Sequence, residues 1–179
     1  NINKNPLVGF GVVGTKTFIN FFFVLLLISP EFSFVANPTA QVVDRDFFER
    51  VVEFARKHEL MVLHDFAYAE ICFDGYKPPS ILEIPEAKEV AIEFVSLSKS
   101  HSMAGWRVGF ACGNREMIHA LTRIKSYLDY GIPQALQIGA ITALRGPQDC
   151  VREIAEVYRE RRDALVEGLA QPGPGAWEI

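Results

Sequence analysis

From Asp44 onward the chain alternates between two hydrophobic periodicities, and this alternation restricts the fold more than any other feature of the sequence. Asp44 is suited to cap a helix start, and Phe47, Phe48, Val51, Phe54 and Ala55 follow it at helical spacing. Residues 60–63 form a short apolar run of strand type, followed at once by His64 and Asp65. A loop containing Gly75, Pro78 and Pro79 leads through a short helical stretch to a second strand, Ala91–Ser96, with Lys99 just beyond its end. Residues 107–112 read as a third strand. Residues 116–130, 134–144 and 147–169 read as helices, the first with Met117, Ile118, Leu121, Ile124 and Leu128 on one side. The last carries a stripe of Val151, Ile154, Tyr158 and Leu165. The order helix, strand, helix, strand, strand, helices predicts an α/β sandwich.

Composition narrows the function. The chain has 179 residues and a formal charge of −4, without the clustered Lys and Arg that neutralising nucleic-acid phosphates requires. Cys72, Cys112 and Cys150 lie far apart with no C-x-x-C pair, which excludes a disulfide scaffold and suits a reducing cytosol. They read as small buried hydrophobes, Trp106 as a core residue, and His64 and His101 as local hydrogen-bonding residues whose spacing fits no metal site.

Residues 1–36 differ from the rest: three charges (Lys4, Lys16, Glu31) and seven of the fourteen Phe fall there. This stretch is expected to be an apolar leader outside the folded domain, on a chain incomplete at its front. Its apolar core, residues 18–28, is too short for a membrane span of about 20 residues, so no membrane is expected. Gly9, Gly11 and Gly14 spell G-x-G-x-x-G, but only Leu7 and Val8 precede them after Pro6, and the run that follows is apolar on every face. A dinucleotide site needs a full strand before the glycines and an amphipathic helix after them, so the match reads as chance.

The chemistry gathers where an α/β sheet places it, beyond the carboxyl ends of strands: Asp65, Ser96, Ser98 and Lys99. Ser96 and Lys99 also fit the S-x-x-K motif of penicillin-recognising acyl enzymes, but the S-D-N and K-T-G companions are missing. Three segments taken together are more specific. They are Asn37 with Pro38 and Thr39, Asp65 with Tyr68, and the run SLSKSHSMAGWRVG that holds Ser96, Ser98, Lys99 and Arg107. In this order and spacing, residues 37–169 closely resemble the pyridoxal-phosphate-dependent class I/II aminotransferases of the aspartate aminotransferase fold. Around Asp65, Lys99 and Asp129 to Gly131 the sequence is most similar to bacterial alanine (glutamate–pyruvate) aminotransferases.

The resemblance implies part of the large cofactor-binding domain of fold type I, an α/β/α sandwich with a mostly parallel sheet, truncated at both ends. Residues 37–169 would be the domain fragment and residues 170–179 a loop-like or truncated end. It implies pyridoxal 5'-phosphate as cofactor, bound through a Schiff base to Lys99, whose amine also shuttles the substrate α-proton. An arginine there could neither attack a carbonyl nor act as a base. Asp65 would pair with the pyridine nitrogen, Tyr68 and Asn37 with the phenolic oxygen, and Ser96, Ser98 and Arg107 with the phosphate. Amino-acid and 2-oxo-acid substrates follow, alanine with 2-oxoglutarate first, then aspartate, aromatic amino acids or diaminopimelate. A cytoplasmic homodimeric parent is implied as well. The family's aromatic that stacks on the cofactor, from its amino-terminal half, and its arginine that grips the substrate carboxylate, from its carboxy-terminal domain, have no counterpart here. A catalytically inactive remnant is therefore the rival expectation.

Overall fold

The structure is a computed structural model, and it describes residues 42–170. Helix α1 (Arg45–Lys57) begins where Asp44 accepts a hydrogen bond from the Phe47 amide at 2.9 Å. An Arg45–Glu49 pair one turn apart supports its first turns. It ends through Glu59, whose φ of 54° places it in the left-handed region usually left to glycine, with Leu60 N bonded to Ala55 O. The buried stripe is Phe48, Val52 and Ala55. Phe54, expected on that stripe, is 46% exposed and lies against the His58 ring instead, because the helix presents its 48–52–55 row to the sheet.

Strand β1 (Val62–Asp65) follows and pairs in parallel with β2 (Ala91–Ser96). Between them lie a 3-10 turn, Ile81–Glu83, closed by a Ser80–Glu83 capping box, and a single helical turn, α2 (Ala87–Val90). Phe48, Val52, Ala55, Leu60, Val62, Ile81, Ile84, Ala87 and Ala91 form the main core beneath α1. Arg56 ties α1 to this connection by ion pairs with Glu86 and Glu89.

Strand β3 (Gly109–Gly113) pairs antiparallel with β2, so the described three-stranded sheet has one parallel and one antiparallel pair in the order β1-β2-β3. β3 starts two residues later than the sequence pattern indicates. A four-residue helix, α3 (Leu97–Ser100), and a 3-10 turn, Ala104–Trp106, intervene, and Arg107 sits at φ 54°, a left-handed conformation that a strand cannot contain. Gly113 ends β3 at φ 136°, and a Cβ there would lie 2.3 Å from Ala91 O, so only glycine fits.

Helices α4 (Arg115–Leu128), α5 (Gln134–Arg145) and α6 (Asp149–Ala170) complete the described chain. Asn114 caps α4 through the Met117 amide and donates to Lys88 O and Glu89 O, joining that helix to α2. α5 packs Ala140 and Leu136 onto Leu97, Val108 and Met103. On α6 only Val151 is buried, and Tyr158 and Leu165 of the expected stripe are exposed. Among the described residues no helix is long and apolar enough to cross a membrane. The α/β class follows the sequence pattern. The leader, its glycine motif and Asn37 lie outside the described residues.

Candidate active site

Side chains alternate across a strand, and one buried contact tells which face is which. His64 of β1 and Glu93 of β2 are register partners, meet on the α1 side of the sheet, and are buried there. Asp65, one residue on, therefore points to the opposite face. So does Ser96, an even number of residues beyond Phe94, the partner of Asp65. The site candidates thus share the face away from α1, at the carboxyl ends of two neighbouring parallel strands.

Asp65 ends β1 and is exposed, with Oδ1 accepting from the Ala67 amide at 3.1 Å. That bond turns the chain sharply, and Tyr68 comes round within the turn. Ser96 closes β2 and caps α3, its Oγ accepting from Ser98 N at 3.2 Å, which leaves its own O–H available to donate. Lys99 projects from α3, half-buried, with Nζ 5.2 Å from the centre of the Tyr68 ring. The turn after β1 and the helix after β2 therefore meet through these two side chains. The ring face favours the charged amine at that distance.

Arg107 reaches the same end of the sheet by a different route. Gly109, two residues after it, is the register partner of Ser96. The guanidinium is exposed and donates from Nη1 to Ala104 O at 3.0 Å, closing its own loop; among the described residues its other N–H groups have no acceptor and can serve an anion. Tyr68, Lys99, Ser96 and Ser98 are thus drawn together around the strand ends, whereas Arg107 is held on the neighbouring loop. Trp106 lies against Gly139 of α5 yet is 45% exposed, so it is a lid on that helix rather than a core residue.

Two further expectations need correction. Cys112 and Cys150 are exposed, because Cys112 lies on the poorly covered strand β3 and Cys150 in the first turn of α6. Cys72 is half-buried, and burial with the neighbouring Glu70 pushes its thiol up to about 11. His101 bonds locally to Ser100, but the partner of His64 is Glu93, 29 residues away. Among the described residues no group of His, Cys, Asp or Glu could hold a metal ion.

Residues 32–178 match the family model for aminotransferase class I and II. The chain belongs to that family. This class I and II aminotransferase chain is 56% identical over 140 residues to glutamate-pyruvate aminotransferase AlaC of Escherichia coli K12, a match covering 78% of the chain and 34% of that protein. It is 55% identical over 137 residues to the LL-diaminopimelate aminotransferase of Moorella thermoacetica, covering 76% and 35%. Among solved structures, a probable N-succinyldiaminopimelate aminotransferase from Thermus thermophilus superposes with a TM-score of 0.73 at 39% identity, covering 76% of this chain and 37% of that one. Substrate-bound BacF from Bacillus subtilis gives 0.72 at 38%, covering 77% and 36%. The aminotransferase chain spans about a third of the length of the curated relatives it matches.

Proposed function

We propose that this chain binds pyridoxal 5'-phosphate at Lys99 and serves transamination between an amino acid, alanine first, and a 2-oxo acid such as 2-oxoglutarate. The observation that carries the reading is the approach of Lys99 Nζ to Tyr68 at the ends of two parallel strands, the first of which ends in Asp65. The donor set suits each part of the cofactor. An amine answers the aldehyde, a carboxylate the ring nitrogen and a phenol the phenolic oxygen; two hydroxyls and a guanidinium answer the phosphate. When bound, the cofactor supplies a carbonyl that carries the amino group between substrates and a ring that takes up the electron pair left at the substrate α-carbon.

The chain's own residues do the rest. Asp65 holds a proton at the ring nitrogen, and an acceptor-only carboxylate is the group for that task. Lys99 would hold the cofactor through Nζ and, with the substrate amine in its place, would carry the α-proton on that free amine. Tyr68 donates its O–H to the phenolic oxygen while its ring faces the lysine amine. Ser96, Ser98 and Arg107 fix the phosphate, the arginine through the N–H groups that Ala104 leaves unused. Asn37 belongs to the phenolic-oxygen set in this reading. A cytoplasmic homodimer is proposed on family grounds alone.

The identity to an LL-diaminopimelate aminotransferase, equal within a percentage point to that with the glutamate-pyruvate enzyme, favours diaminopimelate as a second substrate reading. The test is to supply the full chain with pyridoxal phosphate and follow 2-oxoglutarate consumption with alanine or with LL-diaminopimelate. Pyruvate from alanine supports the first reading, and turnover with diaminopimelate alone supports the second. Cofactor uptake without turnover means a binding remnant, and no uptake overturns the proposal.

A further inference from the structure

Among the described residues, the most deeply buried charged side chains form a cluster that the proposed chemistry does not use. His64 and Glu93 are 3% and 6% exposed, and His64 Nδ1 lies 3.0 Å from Glu93 Oε2. The same oxygen accepts from Ser80 Oγ at 2.7 Å and from the Ile81 amide at 3.2 Å. A carboxylate oxygen that accepts from these two donors can only accept from the ring as well, so the histidine proton lies on Nδ1. The imidazole is held between the Phe48 and Phe66 rings, each 4.8 Å away, and its Nε2 is buried without a partner. Among the described residues its one hydrogen bond is therefore the cross-strand bond.

Such a cluster adds little stability, since desolvating the groups offsets most of what their attraction returns. Its effect is on register. The apolar pattern of β1 and β2 forbids a slip of one residue, which would expose the buried side chains, but tolerates a slip of two. After a two-residue slip His64 would face Ala91 or Val95, leaving a buried imidazole unpaired and the Glu93 carboxylate with only Ser80 Oγ and the Ile81 amide as donors. The same slip would carry Asp65 about 6–7 Å along the sheet relative to Lys99.

We infer that His64 and Glu93 form a positioning pair that locks β1 to β2, and so fixes the carboxylate of Asp65 relative to the amine of Lys99. The pair touches neither cofactor nor substrate, and its link to catalysis rests on the function proposed above. Its link to register does not.

The test uses the full chain, the double variant H64L/E93L, and the single variants His64→Leu and His64→Asn. Asparagine places an amide N–H where Nδ1–H stood. The probe is hydrogen exchange at the Phe66 amide, which bonds to Phe94 O at 2.9 Å beside Asp65, and it needs no cofactor. The double variant is expected to lose about tenfold or more of its Phe66 protection relative to the amides of α4, with a matching loss of pyridoxal phosphate retained after dialysis. A smaller loss of protection overturns the inference. If the double variant does not fold, the single variants decide: Asn must protect Phe66 better than Leu, and equal protection overturns the inference. A wild-type chain that takes up no cofactor counts against the proposed function alone, because exchange at Phe66 still decides the register claim.

Discussion

Gly109→Ala tests the packing that holds the candidate site together. Gly109 faces Ser96 across the β2–β3 ladder, and a Cβ built on it would lie 2.6 Å from Val95 O and 3.5 Å from Ser96 Cα. Both are backbone atoms, so no rotamer change relieves the contact and the strands must move apart. Gly109 itself is exposed, so the cost is that of the forced backbone shift, about 1–3 kcal/mol, and 1–2 kcal/mol alone changes a folding equilibrium about 5- to 30-fold. Gly168→Ala is the control: it lies in α6 with open space around the added carbon, where alanine should stabilise by about 0.5–1 kcal/mol. Urea unfolding followed by circular dichroism reads both. Because the displaced strand end begins at Ser96, cofactor affinity should fall in the Gly109 variant and stay unchanged in the Gly168 variant. Equal stability of the Gly109 variant and wild type, within about 0.5 kcal/mol, would refute the close strand contact.

Iodoacetamide at pH 8 should modify the exposed Cys112 and Cys150 first. Cys72, raised to about 11 from 9.0, has an about hundredfold smaller thiolate fraction, and peptide mapping should find it last. The Arg162 guanidinium hydrogen-bonds Asp74 and holds its carboxyl below the ordinary 3.8. A depressed carboxyl adds stability above its unfolded pKa that is lost as pH falls through the folded one. Arg162→Leu should therefore lower the melting temperature at neutral pH while leaving it unchanged near pH 2. Asp65→Ala should keep cofactor binding measurable but slow α-proton removal, read as loss of solvent-deuterium exchange at the substrate α-carbon; undiminished exchange would refute the role of Asp65.

What was legible in the sequence was what local pattern determines. The run Ala91–Ser96 is apolar or β-favouring at most positions and ends against a polar segment, so both its bounds follow from residue type. Asp44 announces α1 because a carboxylate before a periodic apolar run has one local use. The start of β3 was not legible, since it depends on Arg107 accepting a left-handed backbone that residue type disfavours. Nor was the phase of α1: Phe54 and Val52 are equally apolar, and only the position of the sheet decides which is covered. The strand-end candidates could be named because they cluster within a few residues of two strands, while the meeting of Tyr68 with Lys99 depends on parallel pairing. The partnership of His64 with Glu93 has no sequence signature, because no periodicity links residues on strands separated by a loop and two short turns.

The most direct measurement is the site of covalent attachment. The full chain is incubated with pyridoxal phosphate, reduced with borohydride, digested, and its peptides are read by mass spectrometry. One pyridoxyl group on Lys99, absent from Lys99→Ala, is the expected result. Label spread over surface lysines such as Lys57, Lys77 and Lys125, and unchanged by Lys99→Ala, would contradict the assignment of Lys99 as the cofactor's anchor.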